Sequence, residues 1–231
     1  MLNWMPLIII VILSLLGFFK LVLDIRKIGN LREFSVDFVN MFRKLINQLQ
    51  NNNFDSELYQ SLRLKSAEMQ TIMGNYGVAR KYKPAGANYI YNNYEIVVNG
   101  LAEIRNLHIQ MAGGFDSSFE KRMLAESASM IDDVLITYIG VLNTQQKKLI
   151  IEIKNPFILL REGVRLIVTS PISLIYWSGL IRYRTYDSLS NNIFVKLISV
   201  IIGLVGLISS IITIVTGYNP FMDIFNKLIL K

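Results

Sequence analysis

Two long apolar runs stand near the ends of the chain and dominate its hydropathy pattern. Trp4–Leu23 has 20 residues and one charge, Lys20, and Leu197–Gly217 has 21 residues and no charge. A helix of about 20 apolar residues matches a hydrocarbon core of roughly 30 Å. The pattern therefore predicts two transmembrane helices, within residues 1–28 and 193–218.

The first run is predicted to be a retained anchor rather than a cleaved signal peptide. A signal peptide has a basic region before its apolar run and a small-residue cleavage site after it. No basic side chain precedes the run, and Asp24-Ile25-Arg26-Lys27 follows it. Arg26, Lys27 and Arg32 place the C-terminal end of this helix in the cytoplasm by the positive-inside rule, and the N-terminus outside.

A third apolar segment, residues 156–192, has a shorter uncharged core. Leu166–Ile181 spans only about 24 Å as a helix and contains Pro171, which has no backbone N–H. Polar side chains recur every fourth residue before and within this core, which puts them on one helix face. Aromatic residues suited to the lipid head-group level follow, and cations stand at both ends.

This pattern favours an amphipathic helix at the cytoplasmic membrane interface, bent at the proline. A re-entrant hairpin is the second interpretation and a full crossing is the third. The predicted membrane-interface residues are Arg161, Arg165, Tyr176, Trp177, Arg182 and Arg184.

Between the anchors, residues 29–155 show helical periodicity and no strong strand alternation. We predict about four helices in an antiparallel bundle. Asp55 is a predicted N-cap, and Gly74–Gly77 ends the second helix. The third helix is predicted from near Asn88 to Met111, and a Ser117–Glu120 capping box opens the fourth. The predicted apolar stripes are Leu31, Phe34, Phe38, Phe42, Leu45 and Leu49; Leu58, Leu62, Met69, Ile72 and Met73; Ile90, Tyr94, Val97, Leu101, Ile104 and His108; and Met123, Met130, Val134, Tyr138, Val141 and Leu149.

The fold class predicted from these elements is an all-α membrane protein. The N-terminal anchor (1–28), bundle (29–155), amphipathic interfacial or re-entrant segment (156–192) and last crossing (193–218) are followed by a short amphipathic tail (219–231). Gly203, Gly206, Ser209 and Ser210 form a predicted helix-packing surface on the last crossing. We expect homo-oligomers, because this surface and the stripes on the long helices both offer contacts.

The distribution of charge favours lipid over nucleic acid as a partner. The net charge is +7, yet residues 30–155 carry 14 Lys and Arg against 13 Asp and Glu. The basic excess therefore flanks the apolar segments, as expected for contact with anionic head groups, whereas a nucleic-acid-binding domain would carry the excess itself. We expect an integral membrane protein, in a bacterial inner membrane, with the bundle in the cytoplasm.

Few residues could support catalysis or metal binding. The chain has no cysteine and one histidine, His108, so thiolate sites and multi-imidazole sites are excluded. Asp132 and Asp133 diverge by about 100° on a helix, which favours a solvated face over an ion site. We expect no enzyme activity and no cofactor.

The stretch Tyr76–Tyr94 is predicted to be a loop between helices, with five tyrosines and a basic cluster at Arg80, Lys81, Tyr82 and Lys83. Such a cluster could contact lipid head groups, an unidentified protein partner or single-stranded nucleic acid. The alternative is a solvated loop whose tyrosines pack on neighbouring helices.

Two functions follow from this topology. The first is a non-enzymatic, membrane-anchored helical scaffold or envelope-associated sensor that self-associates. The alternative is an oligomeric channel or membrane-disrupting effector, its pore lined by the last crossing or by residues 156–192. Serines and threonines in Leu197–Gly217 favour a pore, and the lack of any charge there counts against one.

Overall fold

The computed structural model describes most of the chain up to Leu180. The described residues are 5–51, 53–84, 88–112 and 118–180, together with residues 185, 192–195, 197, 198, 200–202, 205, 208 and 212. Their elements are α1 (Met5–Gln50), α2 (Ser56–Met73), a 3₁₀ turn (Gly74–Gly77), β1 (Val78–Tyr82), β2 (Tyr91–Glu95), α3 (Ile96–Ala112), α4 (Ser118–Glu152) and α5 (Pro156–Trp177).

The chain divides into two compact units. The bundle unit is Lys27–Gln146, and the terminal unit combines Met1–Arg26 with Lys147–Lys231. Helix α1 runs unbroken from Met5 to Gln50, so the first predicted anchor and the first bundle helix are one helix. At 1.5 Å per residue, this helix is about 69 Å long.

The bundle unit buries the predicted faces of α1, α2 and most of α3. Phe38, Phe42, Leu45 and Leu49 of α1 are buried, while Leu31 and Phe34 are partly buried against the same core. The other predicted residues that are buried are Leu62, Met69, Met73, Tyr94, Val97, Leu101 and Ile104. The predicted N-cap is confirmed, since Asp55 Oδ1 accepts a 2.9 Å hydrogen bond from Leu58 N. Gly74 ends α2 with φ +53°, a conformation that glycine adopts without strain.

The predicted face of α4 is wrong by one position. Only Tyr138 of the predicted stripe is buried, and the other buried apolar residues are Leu124, Ala128, Ile131, Leu135 and Leu142. Most of them directly follow a predicted residue, so the face is rotated by about 100°. Met123, Met130 and Val134 lie at the edge of the core instead.

Helices α1 and α4 run antiparallel within the bundle unit. Arg43 Nε and Nη2 donate to the two carboxylate oxygens of Asp132, at 2.7 and 2.8 Å. Arg32 Nε donates to Asn143 Oδ1 at 2.5 Å. Arg32 precedes Arg43 on α1 while Asn143 follows Asp132 on α4, so the two helices run in opposite directions. Asp132 therefore forms a bidentate ion pair with Arg43 and is not simply a solvated side chain.

The all-α prediction is wrong in one region, because β1 and β2 form an antiparallel hairpin. Its register pairs Val78 with Glu95 and Tyr82 with Tyr91. The predicted loop Tyr76–Tyr94 therefore contains β1 and most of β2, and α3 begins at Ile96 rather than near Asn88. Ile90, placed on the predicted helical stripe, is 57% exposed.

In the terminal unit, α5 packs antiparallel to the apolar half of α1 through two glycines. A Cβ on Gly17 would overlap the carbonyl group of Leu159, and a Cβ on Gly163 would overlap that of Leu13. Gly17, the later of the two α1 residues, meets Leu159, the earlier of the two α5 residues. The two helices therefore run antiparallel. The two backbones can approach this closely because Gly17 and Gly163 carry no side chain.

Several predicted features lie outside the described residues. They include Ser117 of the capping box, Arg182, Arg184, the surface Gly203, Gly206, Ser209 and Ser210, and the tail 219–231. Of the last predicted crossing, only single residues and short stretches are described, and those are helical.

Candidate functional sites

A cluster of tyrosines forms where the hairpin packs on α3. The ring centroids of Tyr82 and Tyr94 are 4.2 Å apart, and those of Tyr91 and Tyr94 are 5.7 Å apart. Tyr89 meets Tyr91 edge to face at 5.2 Å. Tyr94 is buried at the base, whereas Tyr89 and Tyr91 are about half exposed.

Asn93 explains how Tyr91 and Tyr94 reach the same side of the hairpin. Residues three apart in a regular strand point to opposite faces. Asn93 has φ +54°, the only positive φ among described residues other than glycine, and it interrupts this alternation. Asparagine is among the residues that tolerate the left-handed region best, so the local sequence permits the distortion.

Glu103 on α3 supplies a carboxylate to this cluster. Its Oε2 accepts a hydrogen bond from the Tyr94 hydroxyl at 2.9 Å, and the Tyr82 hydroxyl lies 3.4 Å from both carboxylate oxygens. Burial, followed by the hydrogen bond and charge of Glu103, raises the pKa of Tyr94 well above its ordinary value. Burial also raises the pKa of Tyr82. Both phenols therefore stay protonated and donate at neutral pH.

The cluster opens into a cavity of about 620 Å³. Its lining is aromatic on the hairpin side, while α3 contributes Glu103 and the amides of Asn99, Asn106 and Gln110. A second cavity, of about 220 Å³, is lined by Tyr82 and Glu103, with Lys83 and Glu126 also in its wall. Volumes of several hundred Å³ are typical of small-molecule sites.

The structure divides the predicted basic cluster. Tyr82 and Lys83 reach the smaller cavity, whereas Arg80 and Lys81 are exposed on β1 and line neither cavity. Sequence reasoning missed Glu103 and the roles of Tyr89, Tyr91 and Tyr94. The density of tyrosines was a usable signal, but the carboxylate reaches them only through tertiary packing.

We expect the Tyr94 hydrogen bond to be visible in the pH dependence of stability. Because the folded pKa of Tyr94 is raised above about 10, its contribution is complete below pH 10 and is lost as pH rises further. Tyr94→Phe should lower the free energy of unfolding at pH 7 by about 1.5 kcal/mol and flatten its decline above pH 10. Urea titrations followed by circular dichroism at pH 7 to 11 measure both effects. Tyr76→Phe, at a 54% exposed position, should match the parent at pH 7.

The terminal unit contains a buried carboxylate surrounded by cations. Glu162 on α5 is 6% exposed, and its Oε2 lies 2.5 Å from Lys20 Nζ on α1. Arg161 Nη2 lies 2.9 Å from Oε1, and Arg165 Nη1 lies 3.8 Å from Oε2. Sequence reasoning assigned Arg161 and Arg165 to lipid head groups and overlooked Glu162. Their lipid contact stays a prediction, as does that of Tyr176 and of the 80% exposed Trp177.

His108 and the two aspartates give no sign of a reactive centre in the part of the chain that is described. His108 stacks on Phe54, with ring centroids 5.2 Å apart and an interplanar angle of 18°. No group of three His, Asp or Glu side chains among the described residues is arranged to hold a metal ion.

These features define the protein's class as mostly helical, with one long N-terminal helix that is apolar enough to span a membrane. Comparisons of the chain with protein-family models, curated proteins and solved structures found no match.

Proposed function

We propose that the protein is a non-enzymatic, membrane-anchored helical scaffold or sensor. The observation that carries this proposal is the exposure of the apolar half of α1. Its most apolar stretch has a mean hydropathy of 2.6, yet only 11% of it is buried by protein. The core helix of a soluble domain would be mostly buried, so lipid is the natural cover for this surface. The large side chains that need covering are Ile8, Ile9, Val11, Ile12, Leu15, Phe18, Phe19, Val22 and Leu23.

The α1–α5 packing supports an anchor that is retained after synthesis. Cleavage of α1 behind its apolar run would remove Gly17 and Lys20, and with them the partners of Gly163 and Glu162. Removal of one partner from a buried ion pair leaves an uncompensated charge, which is strongly destabilising. The contacts across this helix pair therefore favour a membrane anchor over a signal peptide.

We further propose that α5 enters the membrane beside α1 rather than lying on its surface. Gly163 meets Leu13, which is ten residues, or about 15 Å, from Leu23 at the end of the apolar run. A carboxylate at that depth needs an opposite charge nearby, and Lys20 supplies it to Glu162. This arrangement favours the re-entrant or crossing interpretations of residues 156–192 over the interfacial one.

The backbone of α5 is adapted to such a position. Pro171 cannot donate to the carbonyl of Ile167, four residues earlier, yet α5 continues to Trp177. Ser170 Oγ donates to that carbonyl at 2.8 Å and replaces the missing hydrogen bond. A satisfied carbonyl is a requirement in hydrocarbon, where no water is available as a substitute.

In this proposal, the bundle unit works in the cytoplasm next to anionic lipids, and the membrane is a bacterial inner membrane. Arg26 and Lys27 at the end of the apolar run support this orientation through the positive-inside rule. Self-association remains part of the proposal, although the surface predicted to mediate it lies outside the described residues. The pore alternative depends largely on that same region, and no described contact favours it.

Membrane integration is tested by alkaline carbonate extraction of membranes that contain the full chain. We expect the protein to stay in the pellet, because burying an apolar run of this length in lipid outweighs anything that carbonate disrupts. Recovery of the protein in the carbonate supernatant would remove the anchor and the proposed function with it.

Orientation is tested by labelling single engineered cysteines, since the natural chain has none. In intact cells, an impermeant maleimide should label Leu2→Cys and fail to label Glu95→Cys. Leu64→Cys, at an 84% exposed position on α2, serves as a second site in the bundle unit. Both bundle sites should become reactive after lysis. Labelling of the bundle sites in intact cells, with residue 2 protected, would reverse the proposed topology.

A further inference from the structure

We propose that the tyrosine-lined cavity binds a small organic cation with an alkylated ammonium group, such as the head of choline. This inference concerns a site on the bundle unit and goes beyond the anchoring function. It also does not depend on that function, because every residue that carries it lies in the bundle unit, between Tyr82 and Gln110. A negative result for membrane anchoring and a negative result for ligand binding can therefore be told apart.

The aromatic wall is the first argument. Tyr89, Tyr91 and Tyr94 line one side of the cavity with centroid separations of 5.2 and 5.7 Å, which places several rings within reach of one ligand. The faces of aromatic rings carry negative potential and attract cations. Alkylated ammonium groups suit such a wall, because their charge is spread over methyl groups and they are easily desolvated.

The carboxylate is the second argument. Among the described residues, Glu103 is the only charged one in the wall of the larger cavity, and it forms no ion pair with any of them. Its two hydrogen-bonding tyrosines, Tyr82 and Tyr94, orient it while leaving its charge uncompensated. A cation in the cavity would supply the missing countercharge, whereas a phosphate would be repelled.

The shape of the cavity and its remaining polar groups set the size of the ligand. A volume of about 620 Å³ exceeds the space of a trimethylammonium head and leaves room for a polar tail. The amides of Asn99, Asn106 and Gln110 can donate to a hydroxyl or an ester on that tail, and they can accept from a hydroxyl. The backbone at Asn93, whose positive φ brings Tyr91 and Tyr94 to one side, is a local irregularity of the kind found at binding sites.

The decisive measurement compares choline with its uncharged isostere, 3,3-dimethylbutan-1-ol, on the full chain in maltoside micelles. We expect saturable binding of choline by isothermal titration calorimetry, and binding at least about tenfold weaker for the isostere, because only the cation gains from the rings and the carboxylate. Equal binding of the two compounds, or no binding of choline, would overturn the proposal. Sodium chloride at matched ionic strength controls for screening.

Two substitutions locate the site. Glu103→Gln should weaken choline binding by about tenfold and bring it close to that of the isostere, and Tyr91→Leu should weaken it by about fivefold. Tyr91 is 45% exposed, so its replacement is expected to leave the fold intact, as circular dichroism would check. Glu68→Gln, at an exposed glutamate on α2, is the matched control and should bind like the parent. Parent-like binding by Glu103→Gln would place the site elsewhere.

The source of the cation is resolved with vesicles. Protein reconstituted in phosphatidylglycerol should bind soluble choline with the affinity measured in micelles. In phosphatidylcholine, binding of soluble choline would be weakened if the lipid head group occupies the cavity, and unchanged if the ligand is a free molecule. Guanidinium and n-butylammonium ions, which mimic arginine and lysine side chains, should bind more weakly than choline. Tighter binding of either ion would overturn the assignment of a quaternary ammonium ligand.

Discussion

Replacement of Gly163 by leucine is expected to separate α5 from α1 and to cost about 3 kcal/mol of stability or more. Overpacking a tight contact typically costs about 1 to 3 kcal/mol when side chains can adjust. Here the new Cβ would overlap the carbonyl group of Leu13, with only 2.7 Å to its carbon atom. A backbone carbonyl cannot rotate away, so the helices must move apart. The ion pair between Lys20 and Glu162 would lengthen with them.

Thermal unfolding of the full chain in detergent measures this effect, and Gly140→Ala supplies the matched control. Gly140 lies within α4, and a Cβ there would meet nothing within 4 Å. Alanine is favoured over glycine in a helix by up to about 1 kcal/mol, so this variant should melt at the parent temperature or slightly above it. A Gly163→Leu protein that melts like the parent would show that α1 and α5 do not pack as described.

The second large effect is expected for Gln70→Leu in the bundle unit. Gln70 is 7% exposed and bridges two parts of the backbone. Its Nε2 donates to Gly77 O at 2.8 Å, and its Oε1 accepts from Val97 N at 3.1 Å. Leucine is close in size but can make neither bond, which leaves a buried carbonyl and a buried N–H without partners. Because each such group costs about 1 to 3 kcal/mol, we expect a loss of about 3 kcal/mol.

Urea unfolding followed by circular dichroism is the measurement for Gln70→Leu. Gln60→Leu, at an exposed position on the same helix, changes the same residue type without burying a polar group. It should stay within about 0.5 kcal/mol of the parent. If both leucine variants were equally stable, the two hydrogen bonds of Gln70 would contribute nothing measurable to the fold.

Sequence periodicity was sufficient for the parts of the fold that depend on local rules. Most residues of the predicted stripes on α1 and α2 are buried, because positions three and four apart share one helix face. The cap at Asp55 holds because it depends on a side chain and a backbone amide three residues apart.

The face of α4 was less well determined. At 123–124, 130–131, 134–135 and 141–142 both neighbours are apolar, so the apolar surface is broad and its centre is ambiguous. Which of Val134 and Leu135 is buried depends on how α4 packs against the other helices. The periodicity of the sequence gives no information about that packing. The core takes Leu135 and leaves Val134 at its edge.

The hairpin and its site were beyond prediction for a similar reason. Asn93 breaks the alternation that identifies a strand, and β2 consists of Tyr91-Asn92-Asn93-Tyr94-Glu95, without one β-branched residue. Glu103 meets Tyr82 across 21 positions of sequence. Lys20 and Glu162 are 142 positions apart, so the cations near Glu162 had no visible protein partner and were assigned to lipid.

The antiparallel contact between α1 and α4 brings the two ends of the bundle unit together. Gly29 and Gln146 are neighbours, since a Cβ on Gly29 would lie 3.6 Å from Gln146 Nε2. Residues 27–146 therefore begin and end side by side, which is the layout of an inserted module. We therefore expect residues 27–146 to fold as an isolated fragment, with both of its ends on the same side.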